Sequence, residues 1–268
     1  MKMKFIVSTD HDNTLNEKFS IPVAVKHNSS IDGKKFFRLK QTLFSGVKEE
    51  TICTYLQKKG MKDFETPLEL SSFVSFCYIT KEMDRHLGLQ LASEMMHGIT
   101  ESDMDKAGKE MIEGISKGAR EYFDFIKKEG GYNIILSDGV YQLVEVVAKE
   151  IGNVDFITGQ KLFFENGVFN GKVELINKWD VAYKIYKRKE LPLKDGIYQR
   201  TVIVDDLALN LDEMKKHDLP IAFCPNEEDE KLFAKEGLKV KIVKERDFSK
   251  VASWIQTYLQ YANVVYTY

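Results

Sequence analysis

From about residue 116 to the C-terminus, short apolar runs alternate with amphipathic stretches, and few folds accept that rhythm. It describes parallel strands joined by crossover helices, in a sheet covered by those helices. Strands are read at Tyr132-Asn133-Ile134-Ile135-Leu136, Thr201-Val202-Ile203-Val204, Pro220-Ile221-Ala222-Phe223 and Lys239-Val240-Lys241-Ile242-Val243. Amphipathic stretches near 117–129, 140–151, 179–189, 207–217, 227–236 and 248–261 separate them. Phe5-Ile6-Val7, from the far end of the chain, joins the same sheet. Residues 161–175 break the pattern: Asn166-Gly167 sits between alternating apolar residues, a strong hairpin signal. The fold class is therefore α/β, a Rossmann-like three-layer core with a parallel sheet.

The stretch from about 16 to 114 lacks this alternation. Helices are expected near 46–59, 66–78, 82–96 and 102–114, after a less regular segment, 19–40, with a small hairpin around Asp32-Gly33. This divides the chain into a core of residues 1–15 and 115–268 and a mainly helical insertion, 16–114, following the first strand. An insertion there is suited to act as a lid that excludes water from a reaction, the other reading being that it only covers one face of the sheet.

Composition narrows the class only a little. With 43% apolar and 30% charged residues the chain reads as an ordinary soluble globular protein. A net charge of −2 gives no overall attraction to nucleic acid or anionic lipid, so neither is expected as a partner. Cys53, Cys77 and Cys224 are odd in number and too widely spaced for a zinc site, which suits reduced core thiols in a cytoplasmic protein. The apolar stretch after the basic start is three residues long, far short of a signal segment or a membrane span. Tyr258, Tyr261, Tyr266 and Tyr268 gather at the end of the last helix, either as a contact between copies of the chain or as cover for the sheet edge.

Chemistry enters at Asp10-His11-Asp12-Asn13-Thr14, directly after the first apolar run. Ligands of open α/β sheets bind beyond the carboxyl ends of the strands. Of two acids placed there, one can be a nucleophile toward phosphorus and its neighbour a proton donor, while a solvated acidic turn is the other reading. Three more elements lie at strand ends or helix starts. Ser137-Asp138-Gly139 precedes a helix, where a hydroxyl and backbone N–H groups suit a phosphoryl oxygen, although alone it reads as a helix cap. Lys178 begins another helix, the wrong end of the dipole for a cation, where it can hold a phosphoryl group or offset crowded carboxylates, although alone it reads as a solvent-exposed lysine. Asp205-Asp206 ends a strand in two more acids, and hard oxygen ligands crowded together suit Mg²⁺.

These four elements, in this order, resemble the haloacid dehalogenase superfamily of aspartate-nucleophile phosphatases. The stretch from Leu136 to Ala148 and the hairpin leading to Lys178 are most similar to its phosphoserine phosphatase-like branch. The resemblance implies Asp10 as nucleophile and Mg²⁺ ligand, and Asp12 as general acid/base lending its backbone carbonyl to the metal. It further implies Thr14 orienting Asp12, Ser137 holding the phosphate with Asp138 and Gly139, Lys178 stabilising nucleophile and phosphoryl group, and Asp206 on the metal. Asp205 and Asn210 take supporting places, with Asn210 bonding Lys178 or a metal-bound water. Asn210 stands where the family often has a second acid, Asp205 where a small residue is usual, and Asp138 where Gly is common. Phe19 occupies the place of the Glu that serine-specific members use, and Glu17 is out of register, so phosphoserine specificity is not implied.

The expected activity is Mg²⁺-dependent hydrolysis of a small phosphorylated metabolite, a phosphomonoester, through an aspartyl-phosphate. Phosphoryl transfer to an alcohol and silent binding of a phosphorylated ligand are the other readings. Arg38, Lys40, Arg85, His86 and His97 are the polar residues of the insertion from which substrate contacts could come, although surface or helix-face positions account for them better.

Overall fold

Residues 5–80, 82–206 and 210–265 are described by the computed structural model. The chain opens with β1 (Ile6–Asp10) and a run of helices, α1 (Ser20–His27), α2 (Gly33–Gly46), α3 (Glu49–Lys58), α4 (Pro67–Ile79), α5 (Arg85–Met96), α6 (Glu101–Glu113) and α7 (Ala119–Lys128). It continues through β2 (Tyr132–Leu136), α8 (Tyr141–Ile151), β3 (Phe156–Ile157), β4 (Lys161–Glu165), β5 (Val168–Glu174) and α9 (Lys178–Arg188). The remainder is β6 (Leu193–Lys194), β7 (Ile197–Asp205), α10 (Leu211–Met214), β8 (His217–Phe223), α11 (Glu227–Lys235), β9 (Lys241–Val243) and α12 (Phe248–Val265).

The main sheet runs β3-β2-β1-β7-β8-β9, with every neighbouring pair parallel, and β6 pairs antiparallel with β7. The α/β expectation is met. β1, read from three apolar residues, is central, and its register sets Asp10 beside Leu136 of β2 and Thr9 beside Val204 of β7. Helices bury one stripe each: on α7 it is Ala119, Tyr122, Phe123 and Ile126, the spacing of a single helical face. On α9, Ala182, Ile185 and Tyr186 pack with Ile6, Ile134 and Leu136 of the central strands.

The chain divides into two units: Met1–Lys18, Ile112–Gln160 and Ile176–Tyr268 hold the sheet, while Phe19–Met111 and Lys161–Leu175 form the second. The hairpin thus parts from the single core range 115–268 drawn from sequence. Asn166 and Gly167 both take positive φ, 50° and 75°, as the tight turn requires. The hairpin then bonds to the chain between α5 and α6: Gly98 N donates to Phe169 O at 3.1 Å, Phe169 N to Ile99 O at 2.9 Å and Glu101 N to Gly167 O at 3.0 Å.

Other expectations need correction. Asp32-Gly33 is not a hairpin turn. Asp32 caps α2, its carboxylate accepting from Lys35 N at 2.8 Å, and buried Leu39 and Leu43 recur at helical spacing. Phe156-Ile157 is a strand too short for an apolar run to reveal. The helix expected over 207–217 covers only Leu211–Met214, because β8 already begins at His217, and 207–209 lie outside the described residues. Of the three unpaired cysteines only Cys77 is a core thiol, its pKa pushed up to about 12 by burial. Cys53 is exposed. At the C-terminal helix, Tyr258 donates to the Asp218 carboxylate and Tyr261 is exposed, while Tyr266 and Tyr268 lie outside the described residues. No helix among the described residues is long and apolar enough to cross a membrane.

Candidate active site

A strand sorts its side chains alternately between two faces. On β1, Ile6 packs with α9 and the Ser8 hydroxyl lies 2.7 Å from that of Tyr186. Thr9 faces the other way, 3.1 Å from the Tyr122 hydroxyl on α7. By the same alternation Asp10 falls on the α9 side. Lys178, the first residue of α9, meets it there, donating from Nζ to Asp10 Oδ1 at 2.6 Å with the two side chains only 6% and 11% exposed. The Asp138 carboxylate stands 3.9 Å from the same Nζ.

Local bonds hold this cation at a helix start. Asn177 caps α9, accepting from Trp179 N at 3.0 Å. Ahead of it, Gln160 clamps Ile176 at both polar ends: its Oε1 accepts from Ile176 N at 3.0 Å and its Nε2 donates to Ile176 O at 3.2 Å. The backbone of Gln160 also ties down the phosphate-loop candidate, donating to Gly139 O at 2.7 Å and accepting from Tyr141 N at 3.0 Å. Gly159 permits the approach, since a Cβ there would lie 2.6 Å from Tyr141 Cα.

In that loop Ser137 is buried. Its N donates to Thr158 Oγ1 at 2.7 Å, and its Oγ accepts from Gly139 N at 2.9 Å, leaving the hydroxyl hydrogen as a donor. The residue directly before α8 is Val140, whose own side chain makes no cap bond.

Beside β1, the end of β7 carries Asp205 and Asp206, both buried. Thr14 does not orient Asp12, as the resemblance implied. Its hydroxyl donates to Asp206 Oδ1 at 3.1 Å, because the turn after β1 carries it toward β7. Nor does Asn210 reach Lys178. Its Nδ2 donates to Asp205 Oδ2 at 2.8 Å, a local bond across the start of α10. Asn13, at φ 61°, donates to Asp206 Oδ2 at 2.6 Å and is itself gripped by Arg246, which donates to its backbone and side-chain oxygens, each at 3.0 Å. Arg246, Thr158 and Gln160 carried no sequence signal, since nothing in the chain marks residues so distant from the acidic motif as sharing its end of the sheet. His11 and Asn13 lay inside the acidic motif and could have been read from it. His11 is fully buried and bonded through Nδ1 to Asp12 Oδ1 at 2.8 Å.

The charges here do not balance. Burial lifts the Asp10 pKa to about 7; Lys178 pulls it down, while Asp205 and Asp12 push it further up. Asp206 likewise rises to about 7, through burial and then the charge of Asp10, against its bonds from Asn13 and Thr14. Burial opposes the charge on Lys178, but Asp10, Asp138 and Asp205 outweigh it and raise its pKa. One lysine among these acids leaves a deficit of positive charge. No three acid, imidazole or thiol side chains among the described residues gather as a complete cage. Mg²⁺ does not need one, since it is commonly held by one or two carboxylates with water and substrate oxygen. Asp10 and Asp206 are a donor set that fits it.

Of the polar residues expected in the insertion, Arg38 and His97 share a cleft of about 740 Å³ within the helical unit, with Lys35, Ser30 and Ser93. Lys40 is instead paired to Asp63 at 2.5 Å. The side chains of Arg85 and His86 lie outside the described residues.

No protein-family model matches the chain. It is 29% identical over 146 residues to a phosphoserine phosphatase of Streptococcus thermophilus, an alignment covering 53% of this chain and 65% of that relative's length. Among solved structures, a substrate-bound phosphoserine phosphatase complex superposes with a TM-score of 0.68 at 18% identity, over 95% of this chain and 99% of the other. A phospho-aspartyl intermediate analogue of phosphoserine phosphatase gives 0.68 at 19% identity, over 94% and 99%. The likeness read from the four motifs is borne out as one of fold: this chain has the haloacid dehalogenase fold that the phosphoserine phosphatase structures share.

Proposed function

We propose that the chain is a Mg²⁺-dependent phosphomonoesterase acting on a small phosphorylated metabolite. One observation carries the reading. A largely shielded carboxylate at the end of the central strand is held by a buried lysine, with a buried acid at the end of the adjacent strand. That arrangement has little use in packing, where buried charge is costly.

Asp10 attacks phosphorus, forming an acyl-phosphate bond as the ester P–O bond breaks and the electron pair leaves on the alcohol oxygen. Asp12 delivers a proton to that oxygen. Asp12 then takes a proton from water as the water oxygen attacks the aspartyl-phosphate, releasing phosphate and regenerating Asp10. Lys178 balances the charge of Asp10 and of the phosphoryl group, and the Ser137 hydroxyl, held by the Gly139 N–H, donates to a phosphoryl oxygen. A Mg²⁺ ion held by Asp10, the Asp12 carbonyl and Asp206 would supply charge neutralisation for the phosphoryl oxygens. With Phe19 in place of an acid, phosphoserine has no special claim as substrate.

A panel of phosphomonoesters, assayed with purified protein before and after chelation and with Mg²⁺ restored, tests the reading. Turnover that chelation stops and Mg²⁺ revives is expected. Undiminished turnover after exhaustive chelation removes the metal, and failure on every ester removes the activity.

A further inference from the structure

His11 lies between the two acids of the motif, and its surroundings do not explain a histidine as packing. It is 0% exposed, yet its Nε2 has no hydrogen-bond partner among the described residues. Leaving a polar atom buried and unpaired is unfavourable, and an apolar residue of similar size would avoid the cost. What the imidazole gains is one bond, Nδ1 to Asp12 Oδ1 at 2.8 Å. A carboxylate only accepts, so Nδ1 carries the proton of that bond whenever Asp12 is ionised. The arrangement that leaves least unsatisfied is the tautomer with Nδ1–H donating and Nε2 bare.

Such a bond does two things to a carboxylate that shuttles a proton. It commits Oδ1 to the imidazole and fixes the rotation of the group, so the proton is delivered from a defined direction. It also stabilises the anion left behind when that proton goes to the leaving group, which favours the transition state over the protonated ground state. Adjacent residues on an extended backbone point to opposite sides, so this contact depends on the turn that follows Asp10, where Leu15 N donates to Asp10 O at 3.3 Å and Asn16 N to His11 O at 2.9 Å.

We infer that His11 is a positioning residue for Asp12, holding that acid for protonation of poor leaving groups. The inference rests on the phosphomonoesterase reading above and adds a residue to it.

Dependence on the leaving group isolates this role. An alkyl phosphate needs its departing oxygen protonated, whereas 2,4-dinitrophenyl phosphate does not, and kcat/KM reports the step in which that oxygen departs. His11→Phe keeps the buried bulk and loses the N–H, and His11→Asn restores an N–H near the position of Nδ1. In His11→Phe, kcat/KM for an alkyl phosphate is expected to fall at least ~10-fold further than that for 2,4-dinitrophenyl phosphate, within the range that acid catalysis contributes. His11→Asn should recover most of the difference. If His11→Phe does not fold, His11→Leu carries the same comparison. Equal losses on both esters, no loss, or a folded Asn variant that recovers nothing each overturn the inference while leaving the phosphomonoesterase reading intact. Wild-type protein that hydrolyses neither ester overturns that reading, and this inference with it.

Discussion

Lys178 and Asp10 form a buried ion pair, Nζ to Oδ1 2.6 Å, joining the first residue of α9 to the last residue of β1. Breaking a buried pair from one side is far costlier than its net worth, because the other charge remains buried. Lys178→Met should therefore lower stability by about 2 kcal/mol or more in urea unfolding and abolish turnover. Asp10→Asn keeps the shape and an oxygen for Lys178 but cannot attack phosphorus. It should stay folded by circular dichroism and lose at least ~10³-fold in kcat/KM. More than a tenth of wild-type activity in pure Asp10→Asn protein would remove Asp10 as nucleophile.

Asn210 is bonded to buried Asp205 at 2.8 Å, so restoring an acid there sets one carboxylate against another. Asn210→Asp should destabilise the protein by about 1–3 kcal/mol and lower its activity. Equal or better stability in thermal unfolding would mean that a cation within reach accepts the new acid.

His217, at the start of β8, is buried against the Tyr186 ring, with neither ring nitrogen bonded among the described residues. Burial, and then the neighbouring charge of Lys216, push its pKa down to about 3. Unfolded, it titrates near 6.5, so between pH 6.5 and 3 the unfolded chain binds a proton that the folded one does not. The protein therefore loses stability as pH falls below about 6.5 toward about 3, by about 5 kcal/mol at most. His217→Phe should flatten the acid limb of a Tm profile taken between about pH 8 and 4. Parallel profiles for wild type and variant would mean that His217 takes up its proton in the folded state.

Gly159 lies where a Cβ would meet the backbone of Tyr141 at 2.6 Å. Backbone cannot move aside as a side-chain end can, so Gly159→Ala should cost about 2 kcal/mol. It should also lower kcat/KM, because Gln160 next to it ties both the Ser137-Asp138-Gly139 loop and Ile176 in place. Full activity with reduced stability would separate that clamp from the reaction.

Local pattern was enough to reveal the strands β1, β2, β7, β8 and β9, the helices α7, α8, α9, α11 and α12 and the Asn166-Gly167 turn, because burial on one face imposes a period of 2 or 3.6 on the residues themselves. The same logic drew attention to Asp10, Asp12, Lys178 and Asp206, charges at strand ends and helix starts where packing has no use for them. What Thr14 and Asn210 bond to was not legible. Each could reach more than one acid, and only the register of β1 against β7 and the course of the following turns decide which. The hairpin's allegiance to the helical unit was likewise hidden, since it is made by backbone bonds to Gly98, Ile99 and Glu101 that leave no mark on side-chain pattern. Asp32-Gly33 misled because one dipeptide serves both a hairpin and a helix cap, and Leu39 and Leu43 choose between them only by being buried together. Arg246 on Asn13 and Gln160 on Ile176 are contacts between distant parts of the chain, fixed by where the sheet sets its strand ends and by nothing in their own neighbourhoods of sequence.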